Sequence, residues 1–183
     1  MRIGPDGLLR GARYIASPNC DARPRHAAVW LLVLHAISLP PGRYGGDAVA
    51  RLFTNRLDAR AHPYFREIAQ LRVSAHFFVR RDGALQQFVP VHRRAWHAGA
   101  SRWRALARCN DYSVGVELEG VEGRAFAAAQ YRCLARLARA LAARLPLTAC
   151  AAHSDVAPGR KRDPGARFDW SRFHADAARH QIL

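Results

Sequence analysis

The apolar segment 30–34, with the sequence WLLVL, constrains the fold more than any other part of this 183-residue chain. It is followed at once by His35 and then by the turn-forming stretch 38–42 (SLPPG). A short continuous apolar run that is bounded by turn residues is typical of a fully buried strand. We therefore predict a central strand that ends at His35. The run is also much too short to cross a bilayer.

Strand and helix signals alternate along the rest of the chain. An Asp-Gly pair at 82–83 is a strong hairpin signal, and residues 112–119 alternate between apolar and polar side chains. Apolar residues at helical spacing indicate helices, the longest with a basic outer face. The predicted strands are 73–79, 85–91 and 112–119, and the predicted helices are 47–55, 125–145 and 170–179. The pattern predicts one mixed α/β domain over residues 1–183, with a central mixed sheet flanked by helices.

The net charge of +15 admits two interpretations. A strongly basic chain is compatible with an anionic partner such as nucleic acid. However, the basic residues are scattered, without a block of five or six like charges. We therefore expect no nucleic-acid partner. We also expect a cytoplasmic protein that binds no membrane, because the N-terminal residues lack a signal-peptide run. The four cysteines form no C-x-x-C pair, so we expect no cysteine-based zinc site. We expect the protein to be a monomer.

Lys161 is the single lysine among 29 basic residues. An ammonium group is a compact, rotatable and titratable charge, whereas a guanidinium is a broad and permanently charged fork. A lysine retained in such an arginine-rich chain indicates a position where arginine would not serve. The alternative is a chance survivor on an exposed loop, and the lysine alone does not decide between the two.

His35, His153 and Asp163 are candidate metal ligands. His35 ends the predicted buried strand, where open sheets place functional residues. His153 opens a Pro/Gly loop that ends at Asp163. Two neutral imidazoles and one carboxylate form a common catalytic zinc set with a fourth position open for water. The ligands come from distant segments and no H-E-x-x-H helix is present, so the spacing alone leaves a metal-free site open.

Glu117 and Lys161 are the candidate catalytic side chains. Glu117 lies on the polar face of its predicted strand between two apolar residues, and a partly desolvated glutamate can transfer protons near neutral pH. Glu119 lies nearer the strand end and is expected to be structural. Lys161 is two residues from Asp163, so in an extended segment both side chains project to the same side. Its ammonium group could stabilise a developing oxyanion.

Six motifs, met in the same order, resemble those of a known enzyme family. Each motif alone is weak, but together they cover the chain from about residue 11 to residue 173. The motifs are 34–41 (LHAISLPP), 74–76 (SAH), 95–99 (AWHAG), 109–111 (CND), 115–120 (GVELEG) and 153–165 (HSDVAPGRKRDPG). They resemble the zinc-dependent 1,6-anhydro-N-acetylmuramoyl-L-alanine amidases, which are related to phage lysozyme-type amidases and peptidoglycan recognition proteins.

The resemblance implies hydrolysis of the amide bond between anhydro-muramic acid and the first alanine of the muropeptide stem, in cell-wall recycling. It implies Zn²⁺ held by His35, His153 and Asp163, with Glu117 handling protons and Lys161 stabilising the tetrahedral intermediate. Removal of the peptide would also lower the pool of muropeptides that induces β-lactamase expression.

The resemblance further implies a set of substrate contacts. Trp96 would pack against the anhydro-sugar with its apolar face, and Arg72 and Arg108 would pair with a carboxylate of the peptide. Either arginine is equally typical of a solvated surface in a chain this rich in arginine. His97 is expected to line the pocket rather than to bind metal. Ala36 stands where the family usually has asparagine, which predicts altered affinity or substrate preference.

A binding module that holds peptidoglycan fragments without cutting them is the main alternative to an enzyme. Such relatives lack a zinc ligand or a member of the catalytic pair, whereas all five of these residues are present here. A nucleic-acid-binding protein is indicated by charge alone. Its signature would be binding that weakens steeply with salt.

Overall fold

A six-stranded mixed sheet forms the centre of the computed structural model, which describes residues 1–178. The strands lie in the order β1-β5-β4-β9-β3-β10, and every neighbouring pair is parallel except β4 and β5. The strands of this sheet are β1 (Arg13–Tyr14), β3 (Leu31–Ile37), β4 (Phe77–Val79), β5 (Leu85–Gln87), β9 (Ser113–Glu119) and β10 (Ala149–Ala152). The predicted class, a mixed α/β fold with a central mixed sheet and flanking helices, is confirmed.

Within residues 1–178, two small antiparallel sheets, five α-helices and one 3₁₀ turn (Cys109–Asp111) surround this centre. The small sheets pair β2 (Cys20–Ala22) with β6 (Arg93–Ala95) and β7 (Arg102–Trp103) with β8 (Leu106–Ala107). The helices are α1 (Ala48–Phe53), α2 (Pro63–Ile68), α3 (Ala128–Ala142), α4 (His153–Val156) and α5 (Trp170–Ala178). Among the described residues, no helix is both long and apolar enough to cross a membrane.

The central strands β3 and β9 each send alternate side chains to opposite faces of the sheet. One face carries Leu32 and Leu34 of β3 together with the alternating valines of β9. The long helix α3 covers this face with buried leucines, and Phe173 of α5 joins them. The apolar stripe of α3 therefore faces the core, as its periodicity predicted, and the basic residues at 132, 136 and 139 point outward.

The other face of the sheet carries the polar side chains that the sequence analysis singled out. His35 lies on this face, two residues beyond Val33, and Glu117 lies two residues beyond Gly115. A separate apolar cluster beside them packs α1 and α2 against Phe78 of β4. One face of the sheet is thus covered by α3 and α5, and the other face carries the polar residues of the candidate site beside the α1 and α2 cluster.

Most predicted elements are present with shifted ends. The central strand extends beyond His35 to Ile37, and the hairpin strands shrink to three residues each. The helix predicted over 47–55 spans Ala48–Phe53, and Asp47 makes no capping bond because its carboxylate pairs with Arg51. The final helix spans Trp170–Ala178, and residue 179 of that prediction lies outside the described residues.

The sequence analysis missed the short strands β1, β2, β6, β7 and β8 and helix α4, and it also missed strand β10 and helix α2, which help to build the site. No strand was predicted between residues 145 and 170, but residues 149–152 pair in parallel with Leu31–Leu34 of β3. Their sequence, ACAA, carries no branched or aromatic residue that would favour a strand. Helix α2 begins at Pro63, with the His62 ring accepting a hydrogen bond from the Tyr64 amide. Proline at the first helical position is a recognisable start signal.

A buried histidine, His76, joins β4 to β9. Its Nδ1 accepts a hydrogen bond from the Gly115 amide at 3.0 Å, so its Nε2 carries the proton that is donated to the Arg93 carbonyl at 3.0 Å. Burial, reinforced by the nearby charge of Arg23, lowers the pKa of His76 to about 3. The native chain therefore keeps this ring neutral.

We expect the stability of the chelator-treated protein to fall in acid partly because of His76. Between pH about 6.5 and about 3 the His76 ring is protonated in the unfolded chain but not in the native one. As the pH falls through this range, this group therefore lowers the free energy of unfolding by about 1.4 kcal/mol per pH unit. We would measure the free energy of unfolding in urea for wild type and His76→Gln from pH 7 to 4.5. The stability advantage of the wild type should narrow at that rate as the pH falls. A pH-independent difference would contradict this assignment.

Candidate active site

The parallel pairing of three strands brings the candidate residues to one edge of the sheet. In the β3–β9 register His35 lies directly opposite Glu117. In the β10–β3 register Ala152 lies opposite Leu34, so His153 follows beside His35 at the start of α4. Because neighbouring strands lie about 4.8 Å apart, side chains on the same face of such pairs meet. The site is thus formed by the carboxyl ends of parallel strands.

His35, His153 and Asp163 point one atom each at a common centre. Nδ1 of His35 lies 2.9 Å from Nδ1 of His153. The Oδ2 atom of Asp163 lies 3.0 Å from Nδ1 of His153 and 3.5 Å from Nδ1 of His35. Both imidazoles are buried, and the carboxylate is mostly buried. These three residues form a possible metal site.

The donor set fits a tetrahedral zinc ion. Bonds of about 2.0–2.1 Å in a tetrahedron place ligand atoms about 3.3 Å apart, close to the observed triangle. Burial lowers the pKa of His35 to about 4, although the neighbouring Asp163 carboxylate opposes this change. Burial disfavours ionisation of Asp163, but the two adjacent histidines still hold its pKa below the usual range. Neutral imidazole and ionised carboxylate are the forms that bind a metal.

Backbone groups fix the aspartate ligand in place. The Ala36 amide donates to Oδ2 of Asp163 at 3.3 Å, and the Ser154 amide donates to the Asp163 carbonyl at 3.0 Å. Ala36 follows His35 on β3, and Ser154 follows His153 in α4. Each histidine's neighbour thus helps to hold the third ligand, so the three ligating segments are bound to one another even though they are distant in sequence.

Glu117 lies beside the three candidate metal ligands, and its carboxylate makes no hydrogen bond within the described residues. Its Oε2 atom is buried and has no hydrogen-bond partner among residues 1–178. Burial raises the pKa of Glu117 well above its ordinary value, the charge of Asp163 raises it further, and the charge of Lys161 opposes both. Glu117 is half-buried in the cleft, and a carboxyl group with a buried, unpartnered oxygen is free to take up and release a proton.

Glu119 lies on the same face of β9 but serves the neighbouring loops. Its Oε1 accepts from the Gly45 amide at 2.6 Å and its Oε2 from the Arg81 amide at 3.0 Å. A third partner is Arg80, whose guanidinium lies 3.8 Å from Oε1. Both oxygens are therefore engaged in holding the turn after β3 against the β4–β5 hairpin.

Lys161 is exposed in the loop between His153 and Asp163. Its amide donates to the Ala157 carbonyl at 3.0 Å, which closes the end of α4. The preceding residue, Arg160, donates from Nη2 to the carbonyls of Ala98 and Ala100 at 2.6 and 2.7 Å. This arginine ties the lysine loop to the segment that follows His97. The sequence analysis did not single out Arg160.

A cleft of about 480 Å³ opens onto this site. Two of the metal-site residues, His153 and Asp163, line it together with Glu117 and Lys161, whereas His35 is buried behind them. Apolar residues of α1, α2 and the following loop also line the cleft. The apolar residues are Leu52, Phe53, Tyr64, Ile68, Leu71 and Val73. Sequence reasoning missed this apolar wall because it missed α2.

The residues expected to contact substrate lie in different positions relative to the cleft. Trp96, Ala36 and His97 line it. Arg72 is exposed between two lining residues, and its Nη1 donates to the Gln70 carbonyl at 3.2 Å. Arg108 is exposed, is not among the lining residues, and pairs through Nε with Asp111 at 3.1 Å.

Comparisons with known proteins assign the chain to a family. A model of the N-acetylmuramoyl-L-alanine amidase family matches residues 25–166. The chain is 52% identical to the 1,6-anhydro-N-acetylmuramyl-L-alanine amidase AmpD of Escherichia coli (strain K12), over 91% of this chain and 92% of that protein. It is 44% identical to AmpD of Haemophilus influenzae, with 91% and 92% covered.

Solved structures support the same family assignment. A crystal structure of a selenomethionine derivative of AmpD, 49% identical, superposes with a TM-score of 0.93 over 96% of this chain and 99% of that chain. E. coli AmiD in complex with the substrate anhydro-N-acetylmuramic acid-L-Ala-D-γ-Glu-L-Lys is 28% identical, with a TM-score of 0.61 over 84% of this chain and 60% of that chain. The chain therefore belongs to the N-acetylmuramoyl-L-alanine amidase family, and it is an amide hydrolase.

Proposed function

We propose that the chain hydrolyses the amide bond between 1,6-anhydro-N-acetylmuramic acid and the L-alanine of muropeptides, as a zinc enzyme of cell-wall recycling. The observation that carries this proposal is the convergence of two imidazoles and a carboxylate beside Glu117, whose buried Oε2 atom has no partner among residues 1–178. The choice of substrate is supported by the high similarity to the two AmpD proteins over nearly their full length. AmiD, solved with an anhydro-muropeptide, supports it at lower identity.

His35, His153 and Asp163 would hold the zinc ion, which would supply the Lewis acidity that activates water and polarises the amide carbonyl. Glu117 would accept the proton of the attacking water and deliver it to the leaving alanine nitrogen. The buried and unpartnered Oε2 atom suits this task, because no existing hydrogen bond must be broken first. Lys161, exposed in the cleft wall, would face the negative charge that develops on the carbonyl oxygen.

Trp96 and Ala36 would receive the sugar end of the substrate, since both line the cleft close to the metal site. Arg72 and Arg108 would lie further out and pair with a carboxylate of the stem peptide. For Arg108 this requires a second partner besides Asp111, which its exposed side chain permits. Every group named here belongs to one chain, which is consistent with the monomer that we propose.

The biological setting follows from the same proposal. The substrate would be the cytoplasmic pool of recycled anhydro-muropeptides, so we place the enzyme in the cytoplasm. By hydrolysing these muropeptides, the enzyme would also lower the pool that induces β-lactamase expression. This prediction depends on a regulator in the host cell.

The proposal is tested directly by incubating the zinc-loaded protein with an anhydro-muramoyl tripeptide and following the products by mass spectrometry. We expect release of free tripeptide and anhydro-muramic acid, and loss of that release with a chelator. Added zinc should restore it. Tight binding of the intact fragment without release would instead identify a recognition module.

Glu117→Gln should retain zinc and fold but lose turnover by about 10²- to 10⁴-fold, because the amide cannot take up the proton. The matched control is Glu122→Gln, which changes an exposed carboxylate in the same cleft and should leave kcat nearly unchanged. Steady-state kinetics with metal analysis measures both. Full activity of Glu117→Gln would remove Glu117 from the mechanism.

Lys161→Arg should lower kcat by at least about tenfold although charge is conserved, because a guanidinium cannot place one compact charge at the oxyanion. Arg162→Lys, the converse exchange at the adjacent cleft residue, serves as the control and should have little effect. Equal kcat values for the wild type and Lys161→Arg would mean that the single lysine is incidental.

A further inference from the structure

A chain of three hydrogen bonds starts at the far side of the His35 ring. Nε2 of His35 lies 2.9 Å from Nδ1 of His97. Nε2 of His97 lies 3.2 Å from the Ser113 hydroxyl, and that hydroxyl donates to the Cys109 carbonyl at 2.5 Å. Neither His97, nor Ser113, nor the Cys109 carbonyl is one of the three candidate metal ligands.

The Cys109 carbonyl, the last group in this series of hydrogen bonds, fixes the proton positions in all the others. A backbone carbonyl only accepts, so Ser113 must donate to it and is left to accept from Nε2–H of His97. Nδ1 of His97 then carries no proton and accepts from Nε2–H of His35. As a result Nδ1 of His35 keeps its lone pair, which points at His153 and Asp163. This tautomer is the one that a metal ligand requires.

The His97 ring is held rigidly in the place that this chain demands. A Cβ atom at Gly115 would lie 2.4 Å from Cγ of His97, so the ring rests directly on the β9 backbone. The amides of His97 and Ala98 both donate to Oδ1 of Asn110, at 3.2 and 2.9 Å. The ring meets His35 edge to face, with centroids 5.0 Å apart.

The other histidine ligand has no such support. Nε2 of His153 is buried without a hydrogen-bond partner within the described part of the chain. The orientation and tautomer of His35 are therefore set by protein groups, whereas those of His153 are set only by the groups that meet its Nδ1 atom.

We propose that His97 is a positioning residue for the metal centre, acting through its hydrogen bond to His35 rather than on the substrate. This inference rests on the proposed zinc site. Both ring nitrogens of His97 are engaged, so it has no polar atom left with which to bind a muropeptide. Removing its acceptor should weaken zinc binding, because outer partners of metal-binding histidines typically contribute about 10- to 100-fold in affinity.

The test compares His97→Leu with His97→Asn in the full chain. The two side chains have nearly the same shape, but the asparagine Oδ1 can take the place of the histidine Nδ1 as an acceptor. We expect His97→Leu to weaken zinc binding by about 10- to 100-fold and His97→Asn to stay within a few-fold of wild type. Competition for Zn²⁺ against a chromogenic chelator measures the affinity without any reference to amidase activity.

Thermal unfolding of the metal-free variants separates positioning from folding, since the two variants should unfold at similar temperatures. If His97→Leu does not fold, Ser113→Ala provides the second measurement. It removes the group that sets the His97 tautomer, and a several-fold loss of zinc affinity is expected. Equal affinities for the leucine and asparagine variants, or an unchanged affinity in Ser113→Ala, would overturn the inference.

A wild-type chain that binds no zinc would overturn both this inference and the proposed metal site. Wild-type binding with no difference between the variants would overturn only the role of His97. Amidase activity without chelator sensitivity would remove the zinc mechanism while leaving the family assignment in place.

Discussion

The parallel register of β3 with β9 is the constraint on which the whole site depends. It places His35 opposite Glu117 and, on the reverse face, sets Leu34 beside Val116 in the core under α3. Because side chains alternate along a strand, a slip of one residue would turn a polar side chain into the leucine core and an apolar one into the cleft. Burial of the apolar face therefore enforces the alignment of the reactive groups.

The site concentrates buried polar groups that are costly to desolvate, and the structure satisfies most of them individually. His76 and Glu119 have partners for each of their polar atoms and thereby join strands and loops. Among residues 1–178, six buried side-chain atoms have no hydrogen-bond partner, and two of them, Oε2 of Glu117 and Nε2 of His153, belong to the site. The other four belong to Arg23, Tyr44, Gln86 and Trp103.

Sequence reasoning reached much of the fold and the central residues of the site because their signals are local. The runs at 30–34 and 112–119 have strand periodicity, and α3 has an unbroken apolar stripe. It missed β10, whose small residues become a strand only by pairing with β3, a partner 118 residues away in the Ala149–Leu31 alignment. It missed the His97–Ser113 bond and the tether of Arg160, because hydrogen bonds between distant segments leave no periodic trace.

The single lysine has a consequence for chemistry performed on the protein from outside. Reagents that acylate amines ignore guanidinium groups, so in this chain they have only Lys161 and the amino terminus as targets. Lys161 is exposed and lines the cleft. One covalent tag could therefore be placed at the mouth of the site without mutagenesis, and it would sense whatever occupies the cleft.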